Sequence, residues 1–141
     1  MMKYIISIIA ILGLFINSVF AGGHKKIKVG MITTLSGGGS GLGIDVRDGF
    51  LLAVKGDKHF EVIVKDDQRK PDIAVQIADK MIQSDKVDVL TGIIWSNLAM
   101  AVVPAAVKQG KFYLSPNAGP SKLAGNCLLY TSDAADDRCC V

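Results

Sequence analysis

Apolar residues along the chain fall into short blocks separated by polar turns, and the spacing within the blocks alternates between strand-like and helix-like. Ile27 to Thr33 (IKVGMIT) is an apolar run of strand length, the pattern of a strand buried in a parallel sheet. After the glycine-rich stretch Ser36 to Gly43, Leu42, Val46, Phe50 and Val54 recur every fourth position with Ala53 beside them. That spacing predicts a helix, with Gly56 as its stop and Asp45 and Asp48 in its first turn, where the helix dipole favours acids. Phe60 to Lys65 reads as a second strand that ends at the polar Asp66-Asp67-Gln68. Pro71 suits the first turn of a second helix, in which Ile73, Ile77 and Met81 line one face, flanked by Ala74, Ala78 and Ile82. Val87 to Ile94 is a third strand and Lys111 to Ser115 a fourth. Between them a helix is expected from Asn97 to Gln109, kinked at Pro104 and capped by a left-handed Gly110.

The order βαβαβαβ with short connections defines an α/β fold: a Rossmann-like, mostly parallel sheet flanked by helices and joined by right-handed crossovers. In such sheets ligands reach the carboxyl ends of the strands, where loop side chains and helix N–H groups are accessible. Two stretches occupy those ends, TGIIWSN (Thr91 to Asn97) and LSPNAGPS (Leu114 to Ser121). Together they read as half of a small-molecule site.

Composition changes the picture mainly at the two ends. With 141 residues and 50% apolar content, the chain has enough material for one core. Some of that apolar content lies in Met1 to Ala21, which opens with Lys3, continues through Ile5 to Phe15 and ends with Val19 and Ala21 at −3 and −1 of a cleavage point. This is the layout of a cleaved secretory signal peptide, and its apolar run falls short of the roughly 20 residues a membrane span requires. Residues 1–21 are therefore read as a signal peptide directing export, and 22–126 as the folded part of the chain. The three cysteines, Cys127, Cys139 and Cys140, all follow. The run Cys127 to Asp136 (CLLYTSDAAD) resembles one reading frame of a transposase-type sequencing-library adapter, so 127–141 is read as a non-native tail whose cysteines carry no biology. Residues 22–126 hold 14 basic and 10 acidic side chains, scattered rather than striped and not interleaved with aromatics. No nucleic-acid partner is expected.

The candidate chemistry points to binding rather than catalysis. No set of glycines in SGGGSGLG satisfies the dinucleotide fingerprint and no P-loop lysine follows, so no cofactor is expected. The loop, with Ser36 and Leu42 toward its two ends, remains either a backbone that approaches a small ligand or a flexible turn. The only histidines are His24, in the processed terminus, and His59, before the second strand, and no G-x-S-x-G elbow is present. No enzyme is expected. Asp66-Asp67 reads as a satisfied surface turn. Trp95, the single tryptophan, suits either packing or ligand contact, and Ser96 and Asn97 suit helix capping, ligand binding or both.

Taken together, KIKVGMITTLSGGGSGLGIDVRDGF, VIVKDDQRKPDIAVQIADKMI, VDVLTGIIWSN and FYLSPNAGPSKLAG resemble the first lobe of type I periplasmic binding proteins, in the branched-chain amino-acid branch. The resemblance covers Lys26 to about Asn126. It implies that 22–126 is the incomplete first lobe of a two-lobed flytrap in the periplasm, a solute-binding component that delivers an amino acid or an aromatic or organic acid to the permease subunits of an ABC importer. It also implies ligand contacts from Ser96, Asn117, Ala118 and Gly119, with Trp95 and Asn97 shaping the site. Where relatives often carry a threonine to hold an ammonium, Gly119 stands, which points away from a plain α-amino acid. The first-lobe disulfide of some members is absent, since no cysteine precedes Cys127. A ligand-sensing domain of a receptor or regulator with the same fold is the alternative.

Overall fold

The computed structural model describes residues 25–117, 119–126 and 130–131. The signal-peptide reading of 1–21, most of the tail reading of 127–141, and Ala118 lie outside the described residues. Among the described residues five strands run parallel: β1 (Ile27–Thr33), β2 (Phe60–Asp66), β3 (Val89–Thr91), β4 (Phe112–Leu114) and β5 (Tyr130–Thr131). Three helices connect the first four: α1 (Ser40–Ala53), α2 (Pro71–Gln83) and α3 (Ser96–Lys108). A short 3-10 turn, Ser121–Asn126, precedes β5. The spatial order β2-β1-β3-β4-β5 confirms the Rossmann-like reading. The register aligns Met31 with Thr91 and Thr91 with Leu114, so the carboxyl ends of the central strands finish close to one level.

Alternation along the strands sorts the side chains onto two unlike faces. Ile32, Leu90 and Tyr113 point to one face and are fully buried beneath α2 and α3, with Ala74, Met81, Leu98, Val102 and Val103. Gly30 permits this contact. A Cβ there would lie 2.8 Å from both Leu90 Cδ2 and Met81 Sδ. Ile27, Val29, Phe60, Val89, Phe112 and Leu114 point to the other face, where, with Thr91 and Phe50 of α1, they line an apolar groove of about 280 Å³. That face is less covered. Ile27 is 43% exposed and Leu114 40%.

Several sequence expectations shift by small, explicable amounts. β3 is shorter than Val87 to Ile94 because the backbone turns at Gly92 (φ 103°), directly after Thr91. A side chain at Gly92 would meet Met31 Cγ at 2.7 Å and the Ile32 carbonyl at 2.8 Å. The most buried line on α2 is Ala74, Ala78, Met81 and Ile82, one residue round from Ile73 and Ile77, because the alanines let α2 pack closely. α1 begins at Ser40, so Asp45 and Asp48 lie beyond its first turn, and Asp48 instead accepts a hydrogen bond from Arg47 at 2.7 Å. Of the α1 residues only Gly43 is buried, and Leu42, Leu51 and Leu52 are exposed. Gly110 has the left-handed backbone expected of it (φ 70°), and its N–H donates to the Val107 carbonyl at 2.9 Å.

Candidate functional site

With strand order β2-β1-β3-β4, the chain leaves β1 toward one edge of the sheet and β3 toward the other. The crevice between the carboxyl ends of β1 and β3 is thus the topological switch point, where open α/β sheets receive ligands. The segment 34–39 enters it from β1, and 92–96 enters from β3.

At the β3 end, Ile93 and Ile94 are buried, and Ile93 N–H donates to the Tyr113 hydroxyl at 3.2 Å. Trp95 has an extended backbone and serves as the N-cap of α3, so Ser96 and Asn97 are its first helical residues, both exposed. The capping role considered for Ser96 and Asn97 is therefore corrected: both lie inside the helix, and no side chain caps α3. Uncapped first-turn N–H groups with an adjacent hydroxyl make a receptive place for an anion. At the β4 end, Asn117 is exposed and its Nδ2 donates to the Ile94 carbonyl at 3.1 Å, while Thr91 Oγ1 donates to the Leu114 carbonyl at 2.8 Å. These bonds tie the two predicted loops into one wall. Gly119 is exposed on the same loop, beyond Asn117.

At the β1 end, Ser36 is exposed and its hydroxyl binds Asp66 at the end of β2. Asp66 Oδ1 also accepts from the N–H groups of Leu35 at 2.8 Å and Gln68 at 2.9 Å. Partial burial raises the Asp66 pKa, but the Ser36 side chain and the backbone donors Leu35, Gln68 and Ser36 outweigh it and hold the carboxyl below its ordinary range. Leu42, in the first turn of α1, is 53% exposed and takes no part in these hydrogen bonds.

Three residues that the sequence reading did not place at the candidate site cluster beside it. Asp67 is fully buried, which corrects the surface-turn reading for this member of the acidic pair. Its Oδ1 accepts from Thr34 Oγ1 at 2.6 Å and Arg69 N–H at 2.8 Å, and its Oδ2 has no partner. Burial pushes its carboxyl above the ordinary range, the Thr34 and Arg69 bonds oppose that, and the Asp66 charge adds to it. Thr34, also fully buried, accepts from Trp95 Nε1 at 2.9 Å. The Arg69 guanidinium lies 4.0 Å from the centroid of the Trp95 ring. Asp67 could be noticed in the sequence only as an acid at a strand end. Its Thr34 partner is remote in the chain, 33 residues away.

A family profile described as periplasmic binding protein matches residues 26–139. The chain belongs to the periplasmic binding protein family. A solute-binding protein of an ABC transporter from Rhodopseudomonas palustris, solved with benzoate, is 31% identical with a TM-score of 0.70, over 76% of this chain and 32% of that one. Another from Rhodopseudomonas palustris BisB5, solved with 3,4-dihydroxybenzoic acid, is 30% identical with a TM-score of 0.71, over 76% and 31%. A leucine-binding protein from Thermotoga maritima shares the fold at 20% identity, with a TM-score of 0.71 over 75% and 32%. The chain thus spans about a third of the length of these structures. No curated protein sequence matches it.

Proposed function

We propose that this chain forms the first-lobe half of the binding site in a periplasmic solute-binding protein, and that the ligand is a small aromatic carboxylate. The observation that carries this reading is the uncapped start of α3 at the switch point, with exposed Ser96 and Asn97 in its first turn. A carboxylate there receives the first-turn N–H groups, the favourable end of the helix dipole and the Ser96 hydroxyl. Asn117, held against Ile94, extends the same wall, and Ala118 and Gly119 follow it in the sequence. Gly119 supplies no hydroxyl for an ammonium, which favours an aromatic or other organic acid over an amino acid. The benzoate and dihydroxybenzoate held by the two Rhodopseudomonas relatives support that class.

The family implies a periplasmic location, which agrees with the signal-peptide reading of 1–21. The physiological role that fits is delivery of the captured acid to the permease subunits of an ABC importer. Binding works by population shift: a ligand that bridges two lobes gains its second set of contacts only on closure, and so favours the closed state. The test is thermal denaturation of the protein from its complete reading frame with benzoate, hydroxybenzoates and leucine. A rise in melting temperature with the benzoates and not with leucine is expected. A rise with leucine alone would overturn the ligand class.

A further inference from the structure

We propose that Arg69 is a positioning residue that clamps the glycine loop onto Trp95 and so fixes the β1 wall of the ligand site. The location of that wall at the site rests on the functional reading above; the clamp itself does not. Arg69 spans two elements. Its guanidinium lies 4.0 Å from the Trp95 ring centroid, and its Nη1 donates to the Gly38 carbonyl at 3.2 Å. The loop is built to accept the ring. Gly39 has a left-handed backbone (φ 87°), and a Cβ on it would collide with Trp95 Cζ2.

The base of the clamp is rigid. Trp95 Nε1 donates to Thr34 Oγ1 at 2.9 Å, Thr34 Oγ1 donates to Asp67 Oδ1 at 2.6 Å, and Arg69 N–H donates to the same oxygen at 2.8 Å. The circuit therefore closes on itself: from Trp95 through Thr34 and Asp67 to the Arg69 backbone, then through the Arg69 side chain back to Trp95. Gln68 (φ 52°) and Arg69 (φ 58°) both hold left-handed backbone, a conformation that side chains other than glycine adopt sparingly and keep where surrounding contacts demand it. One turn after β2 thereby fixes the loops that follow β1 and β3. Trp95 directly precedes Ser96, so the same circuit sets where α3 begins.

Trp95 is the only tryptophan in the chain, so its fluorescence reports the clamp without a label. Emission and acrylamide quenching are measured on the chain without ligand for wild type, Arg69→Ala and Arg69→Lys, with circular dichroism as the fold control. In Arg69→Ala a red-shifted emission and stronger quenching are expected, with amide exchange across residues 37–42 faster by about fivefold, as follows from losing a contact of ordinary cation–π strength. Exchange in α2 and in α3 beyond its first turn should stay as in wild type. Arg69→Lys keeps the charge but lacks the planar fork, and should fall between the two. Should Arg69→Ala fail to fold, the lysine variant carries the same readouts. Wild-type quenching and exchange in the folded variants would overturn the clamp. Benzoate titration of the same samples separates the two ideas, since absent binding counts against the ligand reading and leaves the fluorescence result standing.

Discussion

Asp66 and Asp67 are neighbours with opposite electrostatic fates, and the difference is entirely in their partners. Asp66 collects donors from Ser36, Leu35 and Gln68 and is held below the ordinary carboxylate value of 3.8. It therefore contributes stability that is present above that value and lost as pH falls below it. Asp67 is buried with one oxygen unpartnered and is held above 3.8. As pH rises past 3.8, the unfolded chain loses this proton before the folded one does, so stability falls until the folded group has also ionised. Asp67→Asn should remove that fall, with the Oδ1 contacts of Thr34 and Arg69 still available. Urea midpoints measured from about pH 4 to about pH 7 check this. A slope identical to wild type would place the titration elsewhere. None of this could be read from the dipeptide in the sequence, because the burial of Asp67 is set by the fold and its Thr34 partner lies 33 residues away.

At the scale of elements the sequence was far more legible. β1 is found at its expected bounds, Ile27 to Thr33, and β2 and α2 start at Phe60 and Pro71 as the pattern requires. Apolar periodicity carries that information because each element buries one continuous stripe or face. Boundaries set by backbone geometry rather than by hydrophobicity were less legible. Ile93 and Ile94 extend the apolar run of β3, yet the strand ends at Thr91 because Gly92 turns the chain. Gly92→Ala would force a Cβ against Met31 and the Ile32 carbonyl at a left-handed φ. A loss of about 1–3 kcal/mol is expected from the backbone conformation alone. Denaturant titration reads it directly, and a variant as stable as wild type would show that β3 can end differently. β5 was not among the four strands expected, since a two-residue strand carries no periodicity. The candidate site was partly legible: the strand-end rule located Ser96, Asn97 and Asn117, while Thr34, Asp67 and Arg69 emerged only from tertiary contacts.

Among the described residues the molecule is asymmetric across its sheet. One face is sealed by α2 and α3, whereas the other carries α1 and a groove lined by Ile27, Val29, Phe50, Phe60 and Phe112. Leu52, at 70% exposed, adds to the apolar surface of α1. A face of this kind binds the dye 1-anilinonaphthalene-8-sulfonate under native conditions. Bright, blue-shifted dye emission is expected from the chain alone, and dark samples would mean that the groove is covered in solution. The candidate site lies at the strand ends, beside this face, and the proposed carboxylate would meet the start of α3 there. The most direct measurement of that role is calorimetric titration of benzoate into the protein from the complete reading frame, as wild type and as Ser96→Ala. Loss of a hydroxyl donor that the bound ligand covers should weaken binding by about 1–3 kcal/mol, roughly 5- to 150-fold. Equal affinity in the two proteins, or no benzoate binding in wild type, would contradict a carboxylate seated at the start of α3.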